Sequence, residues 1–178
     1  MQTIMKRFSV VAVMLAIILI PCVAQKVTKG SLSVLKNEKQ LNMVCDFTNC
    51  IIDKKPAVYK IQLEGENWEK GVTEITLRFG EGLSKKVRTL IVGQFPEAKY
   101  TLYYAIESID DDQDCFGTIF LKDTQTGEII AEIKKAYGSA GMFGSFFNLL
   151  GDAFEDLGKK IGMIIKKPSR LQGDWPLY

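Results

Sequence analysis

The residue types that most often carry catalysis or bind metals are unevenly represented in this chain. Among its 178 residues are 21 aspartates and glutamates and four cysteines, but no histidine. Without imidazole the chain cannot build a Ser-His-Asp or Cys-His nucleophile, an HExxH zinc site, or the usual group that titrates near neutral pH. Carboxylates, lysines, tyrosines and thiols are left for chemistry, and the commonest enzyme classes are excluded.

The densest group of potential ligands is the run Asp110, Asp111, Asp112 and Asp114. Calcium loops alternate their oxygen ligands, turn at a glycine and end in a distal glutamate. This run has no such glycine, and predicted strands flank it on both sides. It therefore predicts a solvated hairpin turn, with a weak cation site as the alternative.

Three cysteines follow the N-terminal region, at Cys45, Cys50 and Cys115. Neither a second cysteine pair nor a histidine is present to complete a four-ligand zinc site around Cys45 and Cys50. The thiols are predicted to be buried and to behave as small apolar groups. The alternative, in an oxidising compartment, is a disulfide from Cys115 to one of the other two, with the pairing left open. No metal and no cofactor is predicted.

Tyr100, Tyr103 and Tyr104 could stack on a sugar or a peptide. Consecutive residues of a strand point to opposite faces of a sheet, so at least one of Tyr103 and Tyr104 is expected to lie in the core. We therefore expect structural packing rather than ligand binding from this group.

Periodicity predicts the elements that position these residues. Apolar residues alternate over a half-buried strand and recur at steps of three and four over two amphipathic helices. The expected elements are a strand over 41–48, a helix from about 67 to 91 with Gly80 as the candidate break point, strands over 100–109, 115–121 and 128–136, a glycine-rich loop, and a helix over 146–166.

This order predicts an α+β fold: a small, mainly antiparallel sheet of about four strands, with two long amphipathic helices packed on one face. The expected organisation is a signal peptide over 1–24, a lead-in segment over 25–40, a single domain over 41–167, and a C-terminal tail over 168–178.

The N-terminus has the pattern of a cleavable signal peptide. Lys6 and Arg7 precede the apolar run 8–20, and small residues follow up to Ala24. The run is shorter than the roughly 20 apolar residues that span a bilayer. Cleavage after Ala24 predicts an exported protein, periplasmic or secreted, with no integral membrane span. Lipid anchoring at Cys22 is the alternative.

Cleavage also changes the charge. The whole chain carries 23 basic and 21 acidic residues, and the signal would remove Lys6 and Arg7 but no acid. The remaining chain is formally neutral and has none of the excess positive charge that nucleic-acid binding requires.

Two parts of the chain carry a resemblance. The turn 123–127 followed by Glu-Ile-Ile-Ala, the glycine-rich loop, and Leu-Gly-Lys-Lys-Ile at 157–161 are similar to small auxiliary lipoproteins of the bacterial envelope and to the N-terminal domain of the Tol translocation protein. Gly30–Ser33 and Asp46–Asn49 resemble segments of uncharacterised secreted proteins. The resemblance covers roughly residues 30–166. It implies a non-catalytic partner in envelope assemblies and transfers no specific site residue.

The sequence thus predicts an exported, non-enzymatic module that binds a protein or an envelope component. The alternative is a small carboxylate-based hydrolase acting on glycans, which would need a pair of carboxylates about 5 to 10 Å apart in a cleft.

Overall fold

A computed structural model describes residues 26–167, and the predicted signal peptide and C-terminal tail lie outside them. The strands are β1 (Lys26–Gly30), β2 (Gln40–Asp46), β3 (Ile51–Ile52), β4 (Lys55–Pro56), β5 (Ile91–Gly93), β6 (Tyr100–Ile109), β7 (Cys115–Asp123) and β8 (Ile129–Gly138). The helices are a 3-10 helix (Leu32–Asn37), α1 (Ala57–Glu64), α2 (Glu66–Ser84) and α3 (Phe146–Lys166).

The described strands form one mixed, eight-stranded sheet. Its main path runs β1-β8-β7-β6-β2-β5, and β3 pairs with β6 and β4 beyond the end of β2. The contacts from β1 to β6 along this path are antiparallel, whereas β2 pairs in parallel with both β6 and β5. The prediction of a small, mainly antiparallel sheet of about four strands is therefore wrong, although α+β remains correct as a general class. The parallel pairing joins Asn42 to Thr101, and a contact between residues so far apart in the sequence cannot be predicted from local patterns.

The two predicted long helices exist, but they lie against each other as well as against the sheet. α3 contacts β7, β8 and the 3-10 helix, and α2 contacts β2 and β5. α1 was not predicted. It precedes α2, from which Gly65 separates it with a φ of 54° that favours glycine.

α3 forms where the sequence predicts it, from Phe146 to Lys166. Its apolar stripe is buried against the sheet and α2, and Phe154, Leu157 and Ile161 are fully inaccessible. Burying a side chain of this size contributes about 1.5–3 kcal/mol. The helix therefore supplies much of the apolar cover of the core.

The contact between α2 and α3 depends on glycines. A Cβ atom on Gly82 would lie 1.9 Å from the carbonyl oxygen of Glu155, and one on Gly158 would lie 2.1 Å from that of Phe79. Each glycine thus admits the backbone of the other helix. Gly80 was the candidate break point of this helix, yet α2 runs through both Gly80 and Gly82 without a break.

α2 ends at Ser84, not near Ile91 as predicted. After a turn, the backbone N–H of Ile91 donates to the carbonyl of Lys39 at 2.9 Å, and β5 begins. Leu90 and Val92 are buried in the core from this turn and strand. The apolar residues before Ser84 are buried from the helix, and those after it are buried from the turn and from β5. Their combined spacing therefore resembled that of one longer helix.

The predicted lead-in segment contains β1 and the 3-10 helix. Leu32 and Leu35 of that helix are buried in the core. Ser31 caps it, because its hydroxyl accepts a hydrogen bond from the backbone N–H of Ser33 at 3.1 Å.

Candidate functional site

The acidic run forms the turn between β6 and β7, and its carboxylates bind backbone groups. One oxygen of Asp110 accepts from the N–H groups of Asp112 at 3.1 Å and Asp114 at 3.0 Å. Asp114 accepts from the N–H of Ala140 at 2.7 Å and from the hydroxyl of Tyr137 at 2.6 Å. These bonds give the carboxylates a structural role in the turn and in holding the following loop.

Within residues 26–167 no three histidine, cysteine or acidic side chains are grouped so that they could hold a metal ion. Over the same range no helix has both the length and the apolar character needed to cross a membrane.

A shallow cleft of about 340 Å³ lies beside this turn. Its lining consists of Ile51, Asp53, Lys54, Ser108, Ile109 and Asp110–Asp112. Burial raises the pKa of Asp110 above its ordinary value. Asp53 and Lys54 form the two-residue turn between β3 and β4 with φ values of 48° and 66°, a region that side chains other than glycine seldom adopt. Several carboxylates thus share this concave surface.

The three cysteines are free thiols, and Cys50 and Cys115 are buried. Desolvation raises the pKa of each thiol, including Cys45, to about 12. A thiol with such a pKa stays protonated at neutral pH and is a poor nucleophile. The cysteines therefore provide no activated group.

The strand register also separates the thiols. Cys45 of β2 lies opposite Tyr104 of β6, and Cys115 of β7 lies opposite Ile109 of the same strand. Strand β6 therefore stands between Cys115 and Cys45, and two strand spacings amount to roughly 9–10 Å. Because a disulfide needs Cα atoms within about 7 Å, pairing Cys115 with Cys45 would require the backbone to move. The register disfavours the pairing of Cys115 with Cys45, and the pairing of Cys115 with Cys50 stays a prediction.

The tyrosines divide between the two faces of β6. Tyr104 is fully buried, and its ring meets that of Phe154 edge-on with centroids 5.7 Å apart. Tyr103, next along the strand, is half-buried on the opposite face. The expectation that at least one of the pair lies in the core is confirmed, and Tyr100 is buried as well.

The opposite face of β2, β6 and β7, which points away from α2 and α3, is here called the open face. Val44, Tyr103 and Phe120 are direct neighbours across these three strands. The Tyr103 and Phe120 rings have centroids 6.5 Å apart, and Val44 is 39 % exposed. These two aromatic rings and the adjoining valine form a band across the middle of the sheet, here called the aromatic band.

Polar groups hold Tyr103 of this band in place. Its hydroxyl donates to the carboxylate of Asp46, and the Lys122 ammonium lies 4.0 Å from the centroid of its ring. The hydrogen bond to Asp46 raises the pKa of Tyr103. The bonds that Asp46 accepts from Thr48 and Tyr103 lower the pKa of its carboxyl. The ring is therefore fixed before any ligand arrives, which lowers the entropic cost of binding.

Sequence reasoning missed the open face as a site. The signal was present in the alternation of β7, where Phe116, Thr118, Phe120 and Lys122 share the half-exposed positions. Aromatic residues at solvent-facing positions of a strand are unusual enough to indicate a contact surface. The apolar and aromatic side chains of this face suit contact with another molecule.

No known family model matches the chain, and no curated protein matches it. Three solved structures illustrate the similarity that does exist. A PelC dodecamer from Paraburkholderia phytofirmans is 10% identical with a TM-score of 0.41, covering 76% of this chain and 96% of that one. An uncharacterised protein is 11% identical with a TM-score of 0.39, covering 77% and 94%. A DUF330 protein from Xanthomonas campestris is 9% identical with a TM-score of 0.38, covering 76% and 89%.

Similarity at this level describes a loosely shared arrangement of elements and does not bear on function. The resemblance to envelope auxiliary lipoproteins and to the Tol domain is not shown by any of these comparisons.

Proposed function

We propose that the chain is an exported, non-enzymatic module that binds a protein partner or another envelope component on its open face. The observation that carries this proposal is the aromatic band of Val44, Tyr103 and Phe120 across three paired strands. Rigid aromatic side chains ringed by polar groups are characteristic of the centres of protein interfaces. The N-terminal signal pattern supports export.

The band can be tested with a photo-crosslinking residue at position 44. Illumination in intact cells should join the protein to one predominant partner. Phe120→Ser should abolish that product, because it removes half of the aromatic pair beside the crosslinker.

The matched control is Leu77→Ser on α2, whose side chain is 56 % exposed away from the sheet. It should leave the product intact. A crosslinked product that survives Phe120→Ser would place the interface elsewhere and reject the open face.

Export can be tested by mass spectrometry of the protein recovered from the cell envelope. Cleavage after Ala24 would leave Gln25 at the N-terminus, free or as its pyroglutamate. An acylated N-terminus at Cys22 would replace simple cleavage by lipid anchoring, and an intact N-terminus would contradict both.

The second candidate function is a carboxylate-based hydrolase of glycans, favoured by the cleft that contains Asp53 and Asp110. A carboxyl with a raised pKa can serve as a general acid. Asp110 already binds two backbone N–H groups through one oxygen, however, which suits a fixed turn. Hydrolysis of cell-wall glycans that is lost in Asp110→Asn, with an unchanged melting temperature, would favour this candidate over a binding module.

A further inference from the structure

Among the described residues, the large apolar side chains with the highest exposed fractions lie in two segments. Met142 and Phe143, in the glycine-rich loop before α3, are 87 % and 89 % exposed. Tyr59 and Leu63 of α1 are 62 % and 79 % exposed. Exposed apolar side chains that cluster, unlike those scattered singly, indicate an interaction surface.

Both segments lie at the same end of the molecule, here called the distal end. Ile109, Cys115 and Gly138 lie side by side across β6, β7 and β8, and the loop carrying Met142 and Phe143 leaves the sheet directly after this row. α1 reaches the same place, because the ammonium of Lys60 lies 4.6 Å from the ring centroid of Phe146, just beyond the loop.

The chain also enters the described domain toward this end. Lys26 pairs with Lys134 and Gly30 with Ala131, so β1 runs antiparallel to β8. Lys26, the first described residue, is therefore at the end of β1 nearer to Gly138. The apolar run 8–20 is only five residues upstream of Lys26. Acylation of Cys22, the alternative to cleavage after Ala24, would tether the chain to a membrane four residues before Lys26 and bring the distal end toward the bilayer.

We propose that the distal end docks on the surface of a lipid bilayer, with Met142 and Phe143 entering the interface. The two side chains stand out from a loop between Gly141 and Gly144, and a bilayer accepts such projections without a matching pocket. Transfer of apolar side chains out of water supplies the driving force.

The charge around the distal end selects the kind of lipid. Lys60 is paired with Glu64 at 3.1 Å, and Asp111 and Asp112 are exposed in the nearby turn. This surface has no excess of positive charge with which to attract anionic lipids. Docking is therefore expected on zwitterionic phosphatidylcholine vesicles, with no gain when anionic lipid is added.

The experiment places an environment-sensitive fluorophore on a cysteine introduced as Met142→Cys in the exported protein. The native thiols do not compete, because Cys50 and Cys115 are buried and the pKa of Cys45 is about 12. Phosphatidylcholine vesicles should raise and blue-shift the emission, and a quencher attached to the lipid chains should then reduce it. Adding Phe143→Ser should cause loss of most of that quenching.

The control is the same label on Leu77→Cys, at a residue of α2 that is 56 % exposed and belongs to neither of the two distal segments. Its emission should not respond to vesicles. The proposal is overturned if the label at position 142 is not quenched from within the lipid, or if positions 142 and 77 respond alike. It is equally overturned if a photo-crosslinker at position 143 joins the protein to another protein instead of to lipid, since the distal end would then be a protein interface.

Discussion

The two faces of strand β6 show how differently neighbouring residues are used. Leu102 and Tyr104 point into the core and are fully inaccessible, whereas Tyr103 between them lies half-exposed on the open face. The covered face is closed by α2 and α3, while the open face keeps an aromatic band in contact with solvent. The buried residues that stabilise the fold thus lie on one side of the sheet, and the residues on the other side are available to contact a ligand. Five measurements test this difference between the two faces.

The largest difference is expected in thiol reactivity. The pKa values of Cys45, Cys50 and Cys115 rise from 9.0 to about 12, so at neutral pH roughly a thousandfold smaller fraction of each is thiolate. Reaction with Ellman's reagent should be slower than that of a free thiol by about that factor. In denaturant, the chain that begins at Gln25 should titrate three thiols. A single thiol would show that a disulfide forms after all.

Truncating a buried side chain of α3, the helix that closes the covered face, should have the largest effect on stability. Leu157→Ala removes a fully inaccessible side chain and should lower the free energy of unfolding by about 2–5 kcal/mol. Chemical denaturation would measure the change. Asn148→Ala, at an exposed position of the same helix, is the control. Asp156 is unsuitable as a neutral control, because its carboxylate binds Lys160 at 2.6 Å and the N–H of Ser139. Equal midpoints for Leu157→Ala and the wild type would contradict the position of α3.

The next largest effect on stability is expected at the glycine contact between α2 and α3. Gly82→Ala places a methyl group against the carbonyl of Glu155 and should cost about 1–3 kcal/mol, despite the better helix propensity of alanine. Gly80→Ala, two residues away, has more room, with the nearest atom, Cβ of Val92, at 3.3 Å. Thermal unfolding should show a clear loss for Gly82→Ala and a much smaller change for Gly80→Ala. The reverse order would mean that the helices do not approach at Gly82.

A pH-dependent effect is expected where the helices carry charge. Lys159, at 2.9 Å, and Lys85 lower the pKa of Glu155 from 4.5 to about 2. A depressed folded-state pKa means that the stabilisation is complete above the unfolded pKa and is lost as the pH falls from about 5 to 2. Since both lysines are more than a third exposed, we expect about 1–2 kcal/mol rather than the full value of the shift.

Glu155→Gln should therefore lower stability near pH 7 and make the acid limb of the stability profile shallower. Glu81→Gln is the control, because Glu81 is 62 % exposed and 3.9 Å from its partner Arg78. Parallel pH profiles for Glu155→Gln and the wild type would contradict the assigned pKa.

The smallest effect is expected on the open face. Val44→Ser should change the free energy of unfolding by no more than about 0.5 kcal/mol, as most surface substitutions do. Met43, the preceding residue on the strand, is 4 % exposed, and Met43→Ser should lower the free energy of unfolding by several times as much. Similar losses for the two variants, measured by urea unfolding, would show that another part of the molecule covers the open face.

Sequence reasoning succeeded where a pattern is local and the burial is one-sided. The closing helix was placed at its observed limits, because its apolar residues recur at steps of three and four along its whole length. The strands over 100–109 and 115–121 were recognised for the same reason, and the structure extends the second to Asp123.

It failed where distant pairing decides the structure. β1 and β5 have few residues and little alternation, and they are strands because β8 and β2 offer them hydrogen bonds. α1 exposes Tyr59 and Leu63, so its apolar residues do not lie on a single buried stripe. The open face was missed because alternation was used to find the core and the outward residues were not examined as a surface of their own.

The pairing of β1 with β8 has a consequence for the order in which the protein can fold. Lys26 meets Lys134, so the first described strand to leave a ribosome or an export channel waits for more than a hundred further residues before its partner appears. The parallel contact of β2 with β6 imposes a shorter delay, because Asn42 pairs with Thr101, 59 residues later. Such high contact order slows folding and leaves unpaired strands exposed in the meantime. β1 therefore cannot pair as it emerges, and its backbone hydrogen-bonding groups stay without their strand partner until β8 has been made.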